Sequence, residues 1–125
     1  RLVAVHPDGR ALFLAEGVMR ARHRDDGRGG AFHPERLSTI EPDRPYPYLI
    51  EFWRPTGNVF AKGHRIRVEI SSSYYPYYLR NLNTGEDNLA LATEPVVARQ
   101  TIIHDAEHPS HIVLPVIPVP RPIAH

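Results

Sequence analysis

Proline recurs along the whole chain, at thirteen of 125 positions from Pro7 to Pro122, about twice its ordinary share. Each proline lacks an amide proton and clashes with the preceding turn, so it ends or kinks a helix that would otherwise run through it. Few uninterrupted stretches remain, and the chain is expected to be all-β or rich in loops. Within it, Ile66, Val68 and Ile70 alternate with Arg65, Arg67 and Glu69, the period-2 pattern of a strand with one buried and one wet face. This stretch is expected to be the central strand, with its three apolar residues in the core. Lys62-Gly63 just before it is turn chemistry, so Asn58–Phe60 is expected to arrive from a preceding strand or loop and reverse there.

Other elements follow from the same reasoning. Leu2–Val5 and Ala11–Ala15 flank His6-Pro7-Asp8-Gly9-Arg10, with Pro second and Gly fourth in a type I turn, which predicts a hairpin. Glu16–Arg24 sets Arg20, Arg22 and Arg24 against Met19, Ala21 and His23, which predicts a strand with a solvated or domain-facing basic edge. Residues 25–47 form an irregular excursion rich in Gly and Pro. Arg28-Gly29-Gly30 there lacks the Gly-Lys-Ser/Thr ending of a phosphate loop. Tyr48–Trp53 alternates again, and Arg54-Pro55-Thr56-Gly57 turns the chain onward. Val96–His104 and His111–Ile117 are the last strand candidates; Pro115 places the final one at a sheet edge.

The charge balance, fifteen basic against fourteen acidic residues for a formal +1, provides no field to attract nucleic acid or an anionic membrane. No apolar run approaches the ~20 residues of a membrane span. The absence of Cys excludes disulfides and thiolate chemistry but leaves the compartment open. The length suits one domain over 1–125, and the start at Arg1-Leu2-Val3, already within a strand, reads as that of a fragment or processed chain.

No constellation for catalysis is complete. Ser38, Ser71, Ser72, Ser73 and Ser110 all lack the flanking glycines of a nucleophile elbow. His104, Asp105, Glu107, His108 and His111 have metal-ligand chemistry but poor spacing, with Pro109 between two of the histidines. They are expected to form a hydrogen-bonded connection, with no metal and no cofactor. Tyr74, Tyr75, Tyr77 and Tyr78 surround Pro76; such a cluster stacks on a sugar or base, or packs against a neighbouring domain. These four are the candidate ligand or interface contacts.

Taken together, Pro-Asp-Gly-Arg-Ala at 7–11, Val-Met-Arg-Ala-Arg at 18–22, Asn58–Ser73, Asn-Thr-Gly at 83–85 and residues 104–118 closely resemble the C-terminal domain of the X-Pro dipeptidyl-peptidase and cocaine-esterase family of serine hydrolases. The resemblance implies a jelly-roll β-sandwich, galactose-binding-like, behind an α/β-hydrolase domain that carries the whole catalytic triad. It therefore implies no catalytic residue in this chain, and a role in supporting the catalytic domain and walling its active-site approach. It also implies that the sandwich is incomplete at its N-terminus. The open edge would be covered by upstream strands of the same protein, a swapped strand or a second copy. The contrasting reading is a stand-alone carbohydrate- or ligand-binding module using the four tyrosines.

Overall fold

The computed structural model describes residues 1–24, 37–54, 56–85 and 94–118. Their regular elements are three strands and one short 3-10 turn: β1 (Leu2–Val5), β2 (Ala11–Ala15), the turn at Ala21–His23 and β3 (Arg65–Val68). The sheet is antiparallel, in the order β2-β1-β3. This is a β-domain with almost no helix, as the proline distribution requires.

The hairpin forms where expected. Gly9 N–H donates to His6 O at 3.0 Å and His6 N–H to Arg10 O at 2.8 Å. Gly9 takes the left-handed conformation at φ 88°, which a residue with a Cβ rarely adopts. Asp8 adds to the turn by accepting from the Arg10 backbone at 3.0 Å and its side chain at 2.6 Å. A register shift follows: Leu2 faces Ala15 and Val3 faces Phe13, so Leu14 is the extra residue of a bulge.

β1, not the 58–73 stretch, is the central strand. It pairs on both sides, and all four of its residues are buried, with Ala4 only 1% exposed. A strand flanked on both edges loses water from its backbone as well as its side chains, and a continuous Leu-Val-Ala-Val run suits that place. β3 is confined to four residues at the sheet edge. Its apolar residues are not core: Ile66 is 51% exposed, and Val68 and Ile70 are comparably open. The alternation there did specify a strand, but burial depends on a layer lying over that face, and at the β3 edge the side chains stay about half exposed. One end of the β1–β3 ladder is extended by Glu69 N–H donating to Arg1 O at 2.9 Å. Glu69 also receives Arg1 at 2.7 Å and Arg67 at 2.8 Å, one guanidinium on each carboxylate oxygen.

Other expected strands do not form. Glu16–Arg24 turns into the 3-10 element because Arg24 folds back, its guanidinium donating to Ala21 O at 3.0 Å, Ser38 O at 3.4 Å and Thr39 O at 3.0 Å. The same group lies over the Tyr46 ring at 4.1 Å. Arg24 is therefore buried rather than part of a solvated basic row. Tyr48–Trp53 approaches the sheet and makes one strand-like bond, Trp53 N–H to Glu16 O at 3.2 Å, without a ladder. Val96–His104 is likewise irregular: Val96 N–H donates to Leu82 O at 2.8 Å, and Val96 O accepts from the Asn83 side chain at 2.9 Å. A side-chain amide there occupies the carbonyl that a neighbouring strand would have used. His111–Ile117 has no strand partner among the described residues, so Pro115 is not at a sheet edge. Asn58–Phe60 arrives as a loop, one of the two expected alternatives, and reverses at the Lys62-Gly63 turn, with Gly63 at φ 88° and His64 N–H donating to Ala61 O at 3.0 Å. The irregular stretch at 25–36, with its three glycines, lies outside the described residues.

Gly17 is where the segment after β2 meets residues 50–51. A Cβ at this position would meet the Glu51 carbonyl oxygen and would lie 2.9 Å from Ile50 Cγ2. Backbone cannot retreat as a flexible side-chain tip can, so Gly17→Ala is expected to cost about 1–3 kcal/mol. The check is thermal denaturation together with loss of hydrogen-exchange protection at the Trp53 amide. Wild-type protection would show that the two segments have room to separate.

Candidate functional site

The four tyrosines follow β3 through the bend at Ser71–Ser73, where Ser71 Oγ donates to Ser73 O at 2.8 Å. The Tyr75-Pro76 bond is cis, and Tyr78 N–H donates to Tyr74 O at 3.1 Å, closing the loop. Within it Tyr74 and Tyr77 stack at 4.9 Å, and Tyr74 and Tyr78 lie tilted at 5.9 Å. The Arg1 guanidinium sits 4.8 Å from the centre of the Tyr74 ring. Tyr78 meets Trp53 edge-on at 6.3 Å and donates its hydroxyl to Glu16 Oε1 at 3.2 Å. Partial desolvation and the adjacent Glu16 charge raise the Tyr78 phenol above its ordinary value, so it remains a donor at neutral pH.

The structure thus divides the four candidates. Tyr74 and Tyr78 are half-buried, Tyr74 under Arg1 and Tyr78 against Glu16 and Trp53, whereas Tyr75 and Tyr77 are 67% and 76% exposed. Sequence reasoning missed Trp53, Glu16 and Arg1 as members of this group. An aromatic near the end of an alternating run gives no sign of which distant loop it will meet.

A second feature, also missed, is an open polar cleft of about 170 Å³ beside the same loop. Ser72 and Ser73, then Arg80, Asn81 and Asn83, then Ala98 and Gln100 line it. Its walls are tied by the Leu82–Val96 and Asn83–Val96 bonds already described. Asn81 Oδ1 accepts from Asn83 N–H at 3.0 Å, holding Asn83 at φ 59°.

The His104–His111 region is a compact exposed turn. Asp105 Oδ1 accepts from the amides of Glu107 at 3.0 Å and His108 at 2.7 Å, and lies 3.1 Å from His108 Nδ1. Ser110 donates to Ile103 O at 2.5 Å, and the His111 ring lies 2.7 Å from Pro109 O. Among the described residues, no group of three or more His, Cys, Asp or Glu is placed to hold a metal ion.

Chiefly the His108 amide holds the Asp105 carboxyl below its usual value. A depressed folded value means that this contribution is full above the ordinary carboxylate range and is lost as pH falls through the lowered value. Asp105→Ala is expected to free the Glu107 and His108 amides to exchange. Asp105→Asn keeps the accepting oxygen but abolishes the acid-induced shift of the His108 amide resonance. Titration of that resonance at the ordinary carboxylate value in the wild type would contradict this account.

Comparison with known proteins decides the family. The model of the X-Pro dipeptidyl-peptidase C-terminal non-catalytic domain matches residues 1–113. The chain belongs to this family. It is also 42% identical over 118 residues to the cocaine esterase of Rhodococcus sp. (strain MB1 Bresler), covering 94% of this chain and 19% of that protein. The chain therefore spans about a fifth of the length of the curated relative that it matches. No solved structure matches it significantly. Family membership places the chain as a non-catalytic C-terminal domain of a hydrolase family.

Proposed function

We propose that this chain is the C-terminal part of a jelly-roll β-sandwich in a larger serine hydrolase of the α/β-hydrolase type, an X-Pro dipeptidyl-peptidase or an acyl ester or amide hydrolase. In this reading it braces the catalytic domain and walls the approach to its active site. The supporting observation is the uncovered sheet. Leu12, Ile66 and Val68 share one face with buried Leu2 and Ala4, and the three remain about half exposed. An open apolar face beside the outer edges of β2 and β3 favours coverage by further polypeptide. Similarity to an esterase five times longer supplies a source for it.

Hydrogen exchange on the full-length protein and on this chain alone tests the reading. The β3 amides are expected to be protected in the former and labile in the latter, and equal lability in both overturns it. The hydrolase part has its own test. A serine-directed phosphonate should inactivate the full-length protein while labelling no residue of this chain.

A carbohydrate-binding role is the second reading, favoured by the exposure of Tyr75 and Tyr77. It requires galactose or a related sugar to broaden the Tyr77 ring resonances, and it fails if Tyr77→Ala leaves sugar binding unchanged.

A further inference from the structure

The polar cleft has an unbalanced chemistry. Among the described residues its lining offers one guanidinium, three side-chain amides and two hydroxyls, and no carboxylate. Some of these groups are already committed: Asn83 Nδ2 is bonded to Val96 O and Asn81 Oδ1 to the Asn83 amide. That leaves Asn81 Nδ2 as a donor. Arg80 has no acidic partner among the described residues, and the side chains of Ser72 and Gln100 bond to none of them. What remains is a guanidinium that can only donate, with the amides of Asn81 and Gln100 and the Ser72 hydroxyl beside it, around an open space of about 170 Å³. A planar guanidinium with flanking amide donors matches the two oxygens of a carboxylate, which accepts in parallel from an arginine fork. A neutral polyol could use the Gln100 and serine oxygens as acceptors, but it would leave the guanidinium charge without a counter-ion, which a carboxylate supplies.

We propose that this cleft binds a carboxylate, with Arg80 as its anchor and Asn81, Gln100 and Ser72 as flanking donors. The carboxylate comes either from a small free acid or from an Asp or Glu of the same protein outside this chain. The inference rests on the cleft alone and stands whether or not the chain braces a hydrolase.

The probe is sodium propionate against propionamide, its uncharged counterpart of nearly the same shape, followed by ligand-observed NMR on the full-length protein. If the site is open, propionate is expected to bind in the millimolar range and propionamide about tenfold or more weaker. Arg80→Gln then reduces propionate binding about tenfold with Tm unchanged, and Arg80→Lys restores part of it. If a side chain of the protein already fills the cleft, propionate does not bind the wild type. Arg80→Gln then lowers Tm of the full-length protein, and Arg80→Lys recovers part of the loss. Propionate binding that survives Arg80→Gln overturns the proposal. So does a wild type that does not bind propionate together with an Arg80→Gln variant of unchanged Tm.

Discussion

Ala4→Asp is expected to prevent stable folding of the full-length protein, at a cost above about 4 kcal/mol. Ala4 is 1% exposed, paired through Leu12 on one side and Ile66 on the other. A carboxylate there would give up its hydration with no described cation beside it, and a bulkier side chain would also displace both neighbours. Expression as soluble, cooperatively melting protein with a denaturation midpoint near the wild type would show that β1 is not the buried centre. Ile66→Asp is the informative companion because it lies on the same face at the sheet edge. With that face open, it would cost about 1 kcal/mol. If further polypeptide covers the face, as proposed, its cost in the full-length protein approaches that of Ala4→Asp. A mild effect of Ile66→Asp would count against the scaffold reading without touching the place of β1.

Arg24→Ala is expected to lose about 3 kcal/mol. The guanidinium serves carbonyls from two segments, Ala21 on one side and Ser38 and Thr39 on the other, and it stacks on Tyr46. Truncation leaves those oxygens to find water in a place that is largely closed. Arg24→Lys separates geometry from charge. One ammonium cannot reproduce a planar fork that spans two segments, so lysine is expected to recover less than half of the loss. Tyr46→Leu keeps apolar packing while removing the ring face, at about 1 kcal/mol. Denaturant titration with Tyr46 ring shifts as the local reporter measures all three. A lysine variant as stable as the wild type would reduce the Arg24 contacts to simple charge.

What was legible in the sequence was local chemistry. Pro7, Asp8 and Gly9 specify their own turn, because a fixed φ, a carboxylate within reach of the next amides and a left-handed glycine act over four residues. The Lys62-Gly63 reversal and the strand character of Arg65–Val68 were legible for the same reason. So was the family, since five motifs in fixed order constrain one another even where each is weak, and the match over residues 1–113 agrees. Period-2 patterns elsewhere misled. Alternation at Glu16–Arg24, Tyr48–Trp53 and Val96–His104 says which residues a strand would expose, but a ladder needs a neighbouring backbone with free donors and acceptors.

Only tertiary structure decided which strand is central and which polar groups converge. Leu-Val-Ala-Val and the alternating Arg65–Ile70 run both read as strands, and nothing within either states how many partners it has. β1 lies at the centre, paired on both edges and buried, while Ile66 and Val68 stay about half exposed on an edge strand. The candidate site follows the same rule. Four tyrosines close together in sequence were visible as a cluster, but Trp53 and Glu16 join them through contacts that bring separate segments of the chain together. Arg80 and Gln100 meet at one cleft because Val96 is tied to Leu82 and Asn83. Short-range conformational preferences are written residue by residue; burial and convergence depend on which distant segments arrive, and that is fixed only when the chain has folded.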